Sequence, residues 1–229
     1  MALLLLIETS TSVLSVALAR DGAVIAERVC TEPRMQASLT APLVKEVLDQ
    51  AGIGMAACDA VCVSAGPGSY TGLRVGVSTA KGLAFGAGKP IIAVGTLDIL
   101  ASSVIPSEAE GSPSFIVPML DARRMEVYTA VYSGEGERLT PIESRIVEPD
   151  AFAEYLDKGP VLFVGDGALK CQNVIVHPNA RFREAFPLAK NMASLAQKAY
   201  DAQQFENLAY FEPFYLKDFI ATVSKKNLW

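Results

Sequence analysis

The sequence LLLLIETSTSVLSVALARDGAVIAE, residues 3–27, indicates the fold class. Its first apolar run ends at the acid Glu8, and a second apolar segment, VLSVALA, begins at Val13. Asp21 and Gly22 form a dipeptide that is typical of a tight β-hairpin turn, and the segment AVIAERV follows directly. The stretch therefore predicts three consecutive β-strands joined by short turns.

A similar pattern begins again in the second half of the chain, in FIVPMLDARRMEVYTAVYSGEGERLT at residues 115–140. Here the acid Asp121 takes the place that Glu8 has in the first pattern, although few residues are identical. The polar segment SSVIPSEAEGSPS, which precedes this second pattern, contains two prolines and is typical of a linker. We therefore predict two lobes, at residues 1–108 and 109–229, with part of the segment 189–229 returning to the first lobe.

Each predicted lobe starts with a βββ meander and continues with α/β units. This is the arrangement of the two-lobed actin-like (ribonuclease H-like) α/β fold, in which ligands lie between the lobes at turns that follow strands. The acids Glu8, Asp121 and Asp166 would lie at such turns. They either converge to hold Mg²⁺ or each caps a turn or helix end, and we favour the second interpretation.

The glycine-rich stretch SAGPGSYTGLRVG, residues 64–76, resembles a phosphate-binding loop but matches neither of the two best-known patterns. A P-loop needs a lysine after its last glycine, and Gly72 is followed by Leu73. A dinucleotide fingerprint needs a glycine where Thr71 stands. Weak nucleotide binding remains a hypothesis for six residues: Thr9, Ser10, Thr11, Gly66, Gly68 and Ser69.

The loop leads into a predicted helix at about residues 71–85 with an unusual number of small residues. Each interior glycine of a helix costs roughly 1 kcal/mol relative to alanine, so a reason for the glycines is needed. One stripe at four-residue spacing has almost no side-chain bulk; we call it the inner stripe, and it consists of Gly72, Gly76, Ala80 and Ala84. The stripe either packs tightly on the protein's own sheet or forms a docking surface for a second protein, and we favour docking. The preceding predicted helix carries Leu39, Leu43 and Val47 on one face.

Composition limits the possible functions. The formal net charge is −5, so the surface as a whole does not attract nucleic acid. The hydrophobic fraction of 51% is high and hints at a buried interface. The four cysteines have no CxxC spacing, and we found no stretch long enough to cross a bilayer, so we expect a reducing, cytoplasmic location without membrane contact.

Three stretches resemble the bacterial TsaB (YeaZ) family: LLIETSTSVLSVAL, SAGPGSYTGLRVGVSTAKGLAFG and LDARRMEVYTAVY. The resemblance implies an actin-like, non-catalytic subunit that binds and supports the TsaD-type catalytic subunit. Together they form N6-threonylcarbamoyladenosine at position 37 of tRNA. It also implies a TsaE-type ATPase in the assembly, a homodimer when the chain is alone, and contact with tRNA only through the complex.

The resemblance further implies that the two helices of the first lobe form the partner interface. The interface residues would be Leu39, Leu43 and Val47 together with the inner stripe. No cofactor is expected on this chain, since ATP and metal would be held by the partner subunits. Two departures stand out: Glu8 replaces the aspartate of many relatives, and RMQAS, which begins at Arg34, lacks the histidine that relatives often have there.

Enzyme chemistry has little support in the residues. His177 is the single histidine, which excludes a metal site built on a histidine pair, and we expect it to be an ordinary surface residue. The alternative function is a stand-alone Mg²⁺-dependent phosphotransferase or nuclease that uses Glu8 and Asp121. The basic pairs Arg123-Arg124 and Lys225-Lys226 either contact tRNA phosphates or, as is usual for such pairs, are solvated.

Overall fold

The computed structural model describes residues 1–105 and 113–217. The first lobe contains a sheet of five strands: β1 (Leu3–Glu8), β2 (Leu14–Arg20), β3 (Ala23–Cys30), β4 (Ala60–Gly66) and β5 (Ile91–Gly95). Their order is β3-β2-β1-β4-β5, with β1 to β3 antiparallel and β1, β4 and β5 parallel. The predicted meander is confirmed, and Asp21 and Gly22 form its hairpin turn with positive φ angles of 50° and 78°.

Helices α1 (Gln36–Gln50) and α2 (Tyr70–Ala87) cover one face of the first sheet. Side chains of β1 alternate between the two faces, so that Leu5 and Ile7 face these helices and Leu4 faces away. Because both faces of the sheet are covered, β1 is buried along its whole length. This double burial explains why its sequence is uninterruptedly apolar. A third helix, α3 (Thr96–Ser102), follows β5.

The second lobe contains six strands: β6 (Phe115–Asp121), β7 (Glu126–Thr129), β8 (Tyr132–Ser133), β9 (Glu143–Ile146), β10 (Val161–Val164) and β11 (Ala180–Arg183). The order β11-β10-β6-β7-β9, with β8 also pairing with β6, repeats the topology of the first sheet around its own first strand. Glu8 and Asp121 are the last residues of β1 and β6. The predicted equivalence of the two patterns is therefore confirmed.

The helices of the second lobe are much shorter than those of the first. Helices α4 (Ala153–Leu156) and α5 (Ala168–Cys171) have four residues each, whereas α1 has 15 and α2 has 18. The sheet of the second lobe is therefore less covered by helix than that of the first.

Helix α3 packs between the lobes. Leu97 and Leu100 lie in a core cluster with residues of the second sheet, and the hydroxyl of Tyr132 donates to Asp98 (2.7 Å). The boundary predicted after residue 108 lies outside the described residues. A 3₁₀ turn at Ala189–Met192 and helix α6 (Ala193–Asp201) pack on the first sheet, on the face opposite α1 and α2.

Residues 206–217 make a turn at 207–211 and then run back from the first lobe to the second, and we call this segment the strap. Lys81 of α2 donates to two strap carbonyls, at 3.1 Å each, and the N–H of Phe214 donates to the end of β4 at 2.7 Å. At the end of the strap, Lys217 forms an ion pair with Glu126 of the second lobe. The strap therefore crosses the gap between the lobes.

Candidate docking surface and interlobe cleft

The inner stripe of α2 lies inside the first lobe. All four of its residues are buried. A Cβ atom on Gly72 or Gly76 would collide with Thr9, whose hydroxyl donates to the carbonyl of Gly72 (2.8 Å). The expectation that this stripe is an exposed docking surface is therefore wrong. Positions 72 and 76 require glycine because the turn after β1 passes directly over the helix.

The three apolar residues predicted on α1 also face inward. Leu43 and Val47 belong to the core cluster between α1, α2 and the sheet, and Leu39 is half-buried against it. These side chains fix the position of the two helices. A partner that contacted these two helices would therefore meet their opposite, exposed sides.

A second series of small residues lies on the exposed side of α2, and we call it the outer face: Ser78, Gly82 and Gly86, together with Phe85. A Cβ atom on Gly82 or Gly86 would meet no atom of another described segment within 4 Å. Phe85 is 81% exposed, an unusual state for a large aromatic side chain. The sequence contained a signal for this face, because Leu73 and Val77 stand beside the inner stripe and mark the buried side of the helix.

The strap borders the outer face. Between α2 and the strap lies a groove of about 300 Å³, lined by Tyr70, Arg74 and Lys81 on the helix side. The rings of Tyr70 and Tyr215 are 4.9 Å apart. Tyr210 of the strap is 83% exposed, so aromatic surface continues from the helix onto the strap.

Glu8 lies at the buried end of β1. Its side chain is fully inaccessible, one carboxylate oxygen accepts the N–H of Ser10 (2.5 Å), and the other has no hydrogen-bond partner. Burial raises the pKa of Glu8 to about 7, against the smaller opposite effect of the hydrogen bond from the Ser10 N–H. The hydroxyls of Ser10 and Thr11 also lack a partner among the described residues.

The three cleft acids do not form a metal site. Asp166 accepts the backbone N–H of Asp121 (2.9 Å), whereas Glu8 is enclosed in the first lobe. Asp121 accepts the N–H of Arg123 (2.9 Å) and pairs with Lys170, so it caps a turn. Burial raises the pKa of Asp166. Nowhere in the described part of the chain do three His, Cys, Asp or Glu residues lie together as metal ligands would.

The glycine-rich loop is occupied by the protein's own chain. A Cβ atom on Gly66, whose φ is +113°, would lie 2.5 Å from the carbonyl oxygen of Phe214, and one on Gly68 would lie 2.5 Å from that of Ser10. The N–H of Ser69 donates to the same Ser10 oxygen (2.7 Å). The loop therefore packs against the strap and the turn after β1. This geometry provides no open cradle for a nucleotide at the six residues considered above.

His177 is engaged in a local turn. Its Nδ1 accepts the N–H of Asn179 (3.1 Å), and its Nε2 lies 3.8 Å from Asp157.

The pair Lys225-Lys226 lies outside the described residues. Of the helices that can be described, none combines the length and apolar character needed to cross a membrane.

Comparisons with known proteins agree with this architecture. A family model described as "TsaD: tRNA N6-adenosine threonylcarbamoyltransferase" matches residues 34–225. The TsaB protein of Haemophilus influenzae is 31% identical over 94% of this chain and 93% of its own length. The TsaB protein of Bacillus subtilis is 34% identical over 71% of this chain and 70% of its own length.

The same relationship holds for a solved structure. YeaZ from Pseudomonas aeruginosa superimposes with a TM-score of 0.80 and 30% sequence identity, covering 94% of this chain and all of that one. The two-lobed fold and the full-length match to proteins named TsaB and YeaZ agree with each other. The chain therefore belongs to the family that the TsaD model describes and, within it, to TsaB (YeaZ).

Proposed function

We propose that this chain is a non-catalytic subunit of the assembly that makes N6-threonylcarbamoyladenosine at position 37 of tRNA. In this proposal it binds the TsaD-type catalytic subunit through the outer face of α2 and the neighbouring exposed side of α1. Membership of the TsaB (YeaZ) family supports the pathway. The observation that carries the docking surface is the exposed Phe85 beside two glycines whose missing side chains leave open space.

The two sets of glycines on α2 differ in what explains them. Gly72 and Gly76 are required by the fold, because Thr9 fills the space of any side chain. Nothing in the described part of the protein requires Gly82 or Gly86, yet each costs roughly 1 kcal/mol of helix stability relative to alanine. A partner backbone that approaches the outer face closely would explain both glycines. Phe85 would then become a buried anchor of the interface, as aromatic side chains often are.

The rest of the assembly follows from the same proposal. A homodimer would use the outer face when the catalytic subunit is absent, and a TsaE-type ATPase would join the complex of the two subunits. ATP and metal ions would be bound by those partners, tRNA would be reached through the complex, and the location would be cytoplasmic. The alternative, a stand-alone Mg²⁺-dependent enzyme, is not favoured, since Glu8 and Asp121 do not share a site among the described residues.

The proposed docking surface is tested by placing a larger side chain on it. Gly82→Gln adds a long side chain on the outer face, in a helix that glutamine suits better than glycine. The purified variant should therefore be at least as stable as the wild type, while its affinity for the TsaD-type subunit should fall at least about 30-fold. Calorimetric titration with that subunit, and size-exclusion chromatography of each protein alone, measure the two effects.

Two further variants complete the test. Phe85→Ser should weaken the complex by a similar factor, whereas Val176→Ser should not. Val176 is the matched control because it is 83% exposed and lies in the second lobe. Wild-type affinity of both Gly82→Gln and Phe85→Ser would show that the partner docks elsewhere.

A further inference from the structure

The turn between β6 and β7 contains two consecutive arginines in an unfavourable backbone conformation. Arg123 and Arg124 have φ angles of 73° and 52°, in the left-handed region that residues with a Cβ atom rarely adopt. Backbone bonds hold the turn, since the N–H of Glu126 donates to the carbonyl of Arg123 (3.1 Å). Neither guanidinium group takes part in holding it. We call residues 122–125 the arginine turn.

Both arginine side chains point into solvent, and neither has a partner in the part of the chain that the structure describes. Each residue is exposed, and within residues 1–105 and 113–217 neither side chain forms an ion pair or hydrogen bond. The two carboxylates that flank the turn in sequence are already paired with other cations. Asp121 binds Lys170, and the Glu126 carboxylate binds Lys217 of the strap. The two guanidinium groups therefore keep their full charge toward solvent.

The charge of this region differs in sign from that of the whole chain. The turn and the side chains bonded around it contain four cations and three carboxylates, whereas the chain has a formal net charge of −5. The partly desolvated Asp166, whose pKa burial raises, is one of those carboxylates. Arg183, also exposed, ends β11 at the same edge of this sheet, because β6, β10 and β11 are parallel, and the exposed Glu184 follows it. This edge of the sheet therefore carries a small excess of positive charge on an acidic protein.

We infer that the arginine turn binds phosphate groups of the RNA backbone, an inference that rests on the proposed function. Guanidinium groups bind phosphate oxygens through two parallel hydrogen bonds, and adjacent arginines suit the closely spaced charges of a polyanion. The left-handed backbone directs two neighbouring side chains outward from the tip of a rigid hairpin. The contact is independent of base sequence and positions the RNA on the assembled complex.

The salt dependence of RNA binding tests this contact. The probe is an unmodified tRNA transcript with adenosine at position 37, bound to the complex of this chain with its TsaD-type subunit. Each phosphate contact contributes about 0.7 to 0.9 to the slope of log affinity against log salt concentration. The double variant Arg123→Gln/Arg124→Gln should therefore make this negative slope less steep by about 1.4 to 1.8. With equal affinities of the two proteins at 1 M salt, this difference in slope makes the variant bind about 25- to 60-fold more weakly at 0.1 M salt.

The matched control is Arg20→Gln/Lys89→Gln. These two cations also lack ion pairs among the described residues. Arg20 pairs with Leu3 at the start of β1, and Lys89 precedes β5, so both lie at the end of the first sheet where β1 and β5 begin. The control should bind tRNA with the wild-type slope. An unchanged slope in the arginine variant, or an equal change in the control, would overturn the inference.

Assembly is measured separately with the same proteins. If wild-type chain fails to bind the TsaD-type subunit, the proposed function is wrong. If the wild type assembles and the arginine variant does not, the turn contacts an acidic protein surface instead of RNA, which also overturns the inference. Normal assembly combined with the smaller salt slope supports it.

Discussion

The two lobes have the same strand order but differ in what connects the strands. In the first lobe the connections are helices of 15 and 18 residues, and in the second they contain helices of four. The first lobe can therefore present a long helical surface, whereas the second presents hairpins and strand ends. The comparison indicates that the two sheets provide a common scaffold, whereas the segments that connect their strands have the separate functions we propose.

The ends of the two first strands differ as well. Glu8 is enclosed and has an unpaired oxygen, whereas Asp121 is 47% exposed in its side chain and paired with Lys170. The same position in the pattern thus holds a desolvated acid in one lobe and a surface ion pair in the other. Three experiments probe this contrast, in order of decreasing expected effect.

The largest effect is expected for the pH dependence of stability caused by Glu8. Its pKa is about 7 in the folded protein and near 4.5 in an unfolded chain, so the folded state binds the extra proton between these values. The contribution of Glu8 to the free energy of unfolding should therefore be greatest below pH 4.5. It should fall by about 3 kcal/mol as the pH rises to 7. Glu8→Gln should lack this decrease. Urea unfolding of both proteins from pH 5 to 8 measures the difference, and parallel curves would contradict the burial argument.

A smaller loss of stability is expected when one glycine in each lobe is replaced by alanine, and the size of the loss should differ between the lobes. In Gly76→Ala the new Cβ atom would collide with the buried Thr9, and we expect a loss of about 2 to 3 kcal/mol in the free energy of unfolding. In Gly167→Ala the new atom would lie 3.0 Å from a methyl group of Val127 and 3.1 Å from backbone atoms of Leu120 and Asp121, contacts that shifts of a few tenths of an ångström relieve, so the loss should be about 1 kcal/mol. Urea denaturation followed by circular dichroism gives both values. Equal losses would show that the turn after β1 yields more easily than its packing indicates.

The smallest effect is expected at Asp121. Asp121→Asn removes the ion pair with Lys170 but keeps an oxygen that can accept the N–H of Arg123. Exposed ion pairs contribute less than about 1 kcal/mol, and salt screens them. The variant should therefore unfold within about 1 kcal/mol of the wild type, and the gap should narrow in 1 M NaCl. A larger, salt-independent loss would mean that Asp121 is as structurally important as Glu8.

Much of the architecture could be predicted from local patterns. Uninterrupted apolar runs such as Leu3–Ile7 predicted buried strands, and Asp21-Gly22 predicted the hairpin, since both depend on neighbouring residues alone. The return of the same pattern before Asp121 predicted the second sheet. The helix at residues 71–85 was also predicted, within a few residues of its observed bounds.

The orientation of α2 was predicted wrongly for a definite reason. Hydrophobic periodicity locates a buried face through its large apolar side chains, and a stripe of Gly72, Gly76, Ala80 and Ala84 has none. The absence of bulk fits a buried contact and an exposed docking surface equally well. Leu73 and Val77 would have resolved the ambiguity, because both are buried beside the stripe.

The sequence by itself indicated the strands that open each lobe, the helices α1 and α2, the repeated pattern and the family resemblance, because these depend on the order of residue types along the chain. The tertiary structure alone decided which side of α2 faces outward, which acids are buried, and that the strap and the turn after β1 fill the glycine-rich loop. Those properties depend on which distant segments pack together. Thr9 against Gly76 and Phe214 against Gly66 are such contacts, and no local pattern specifies them.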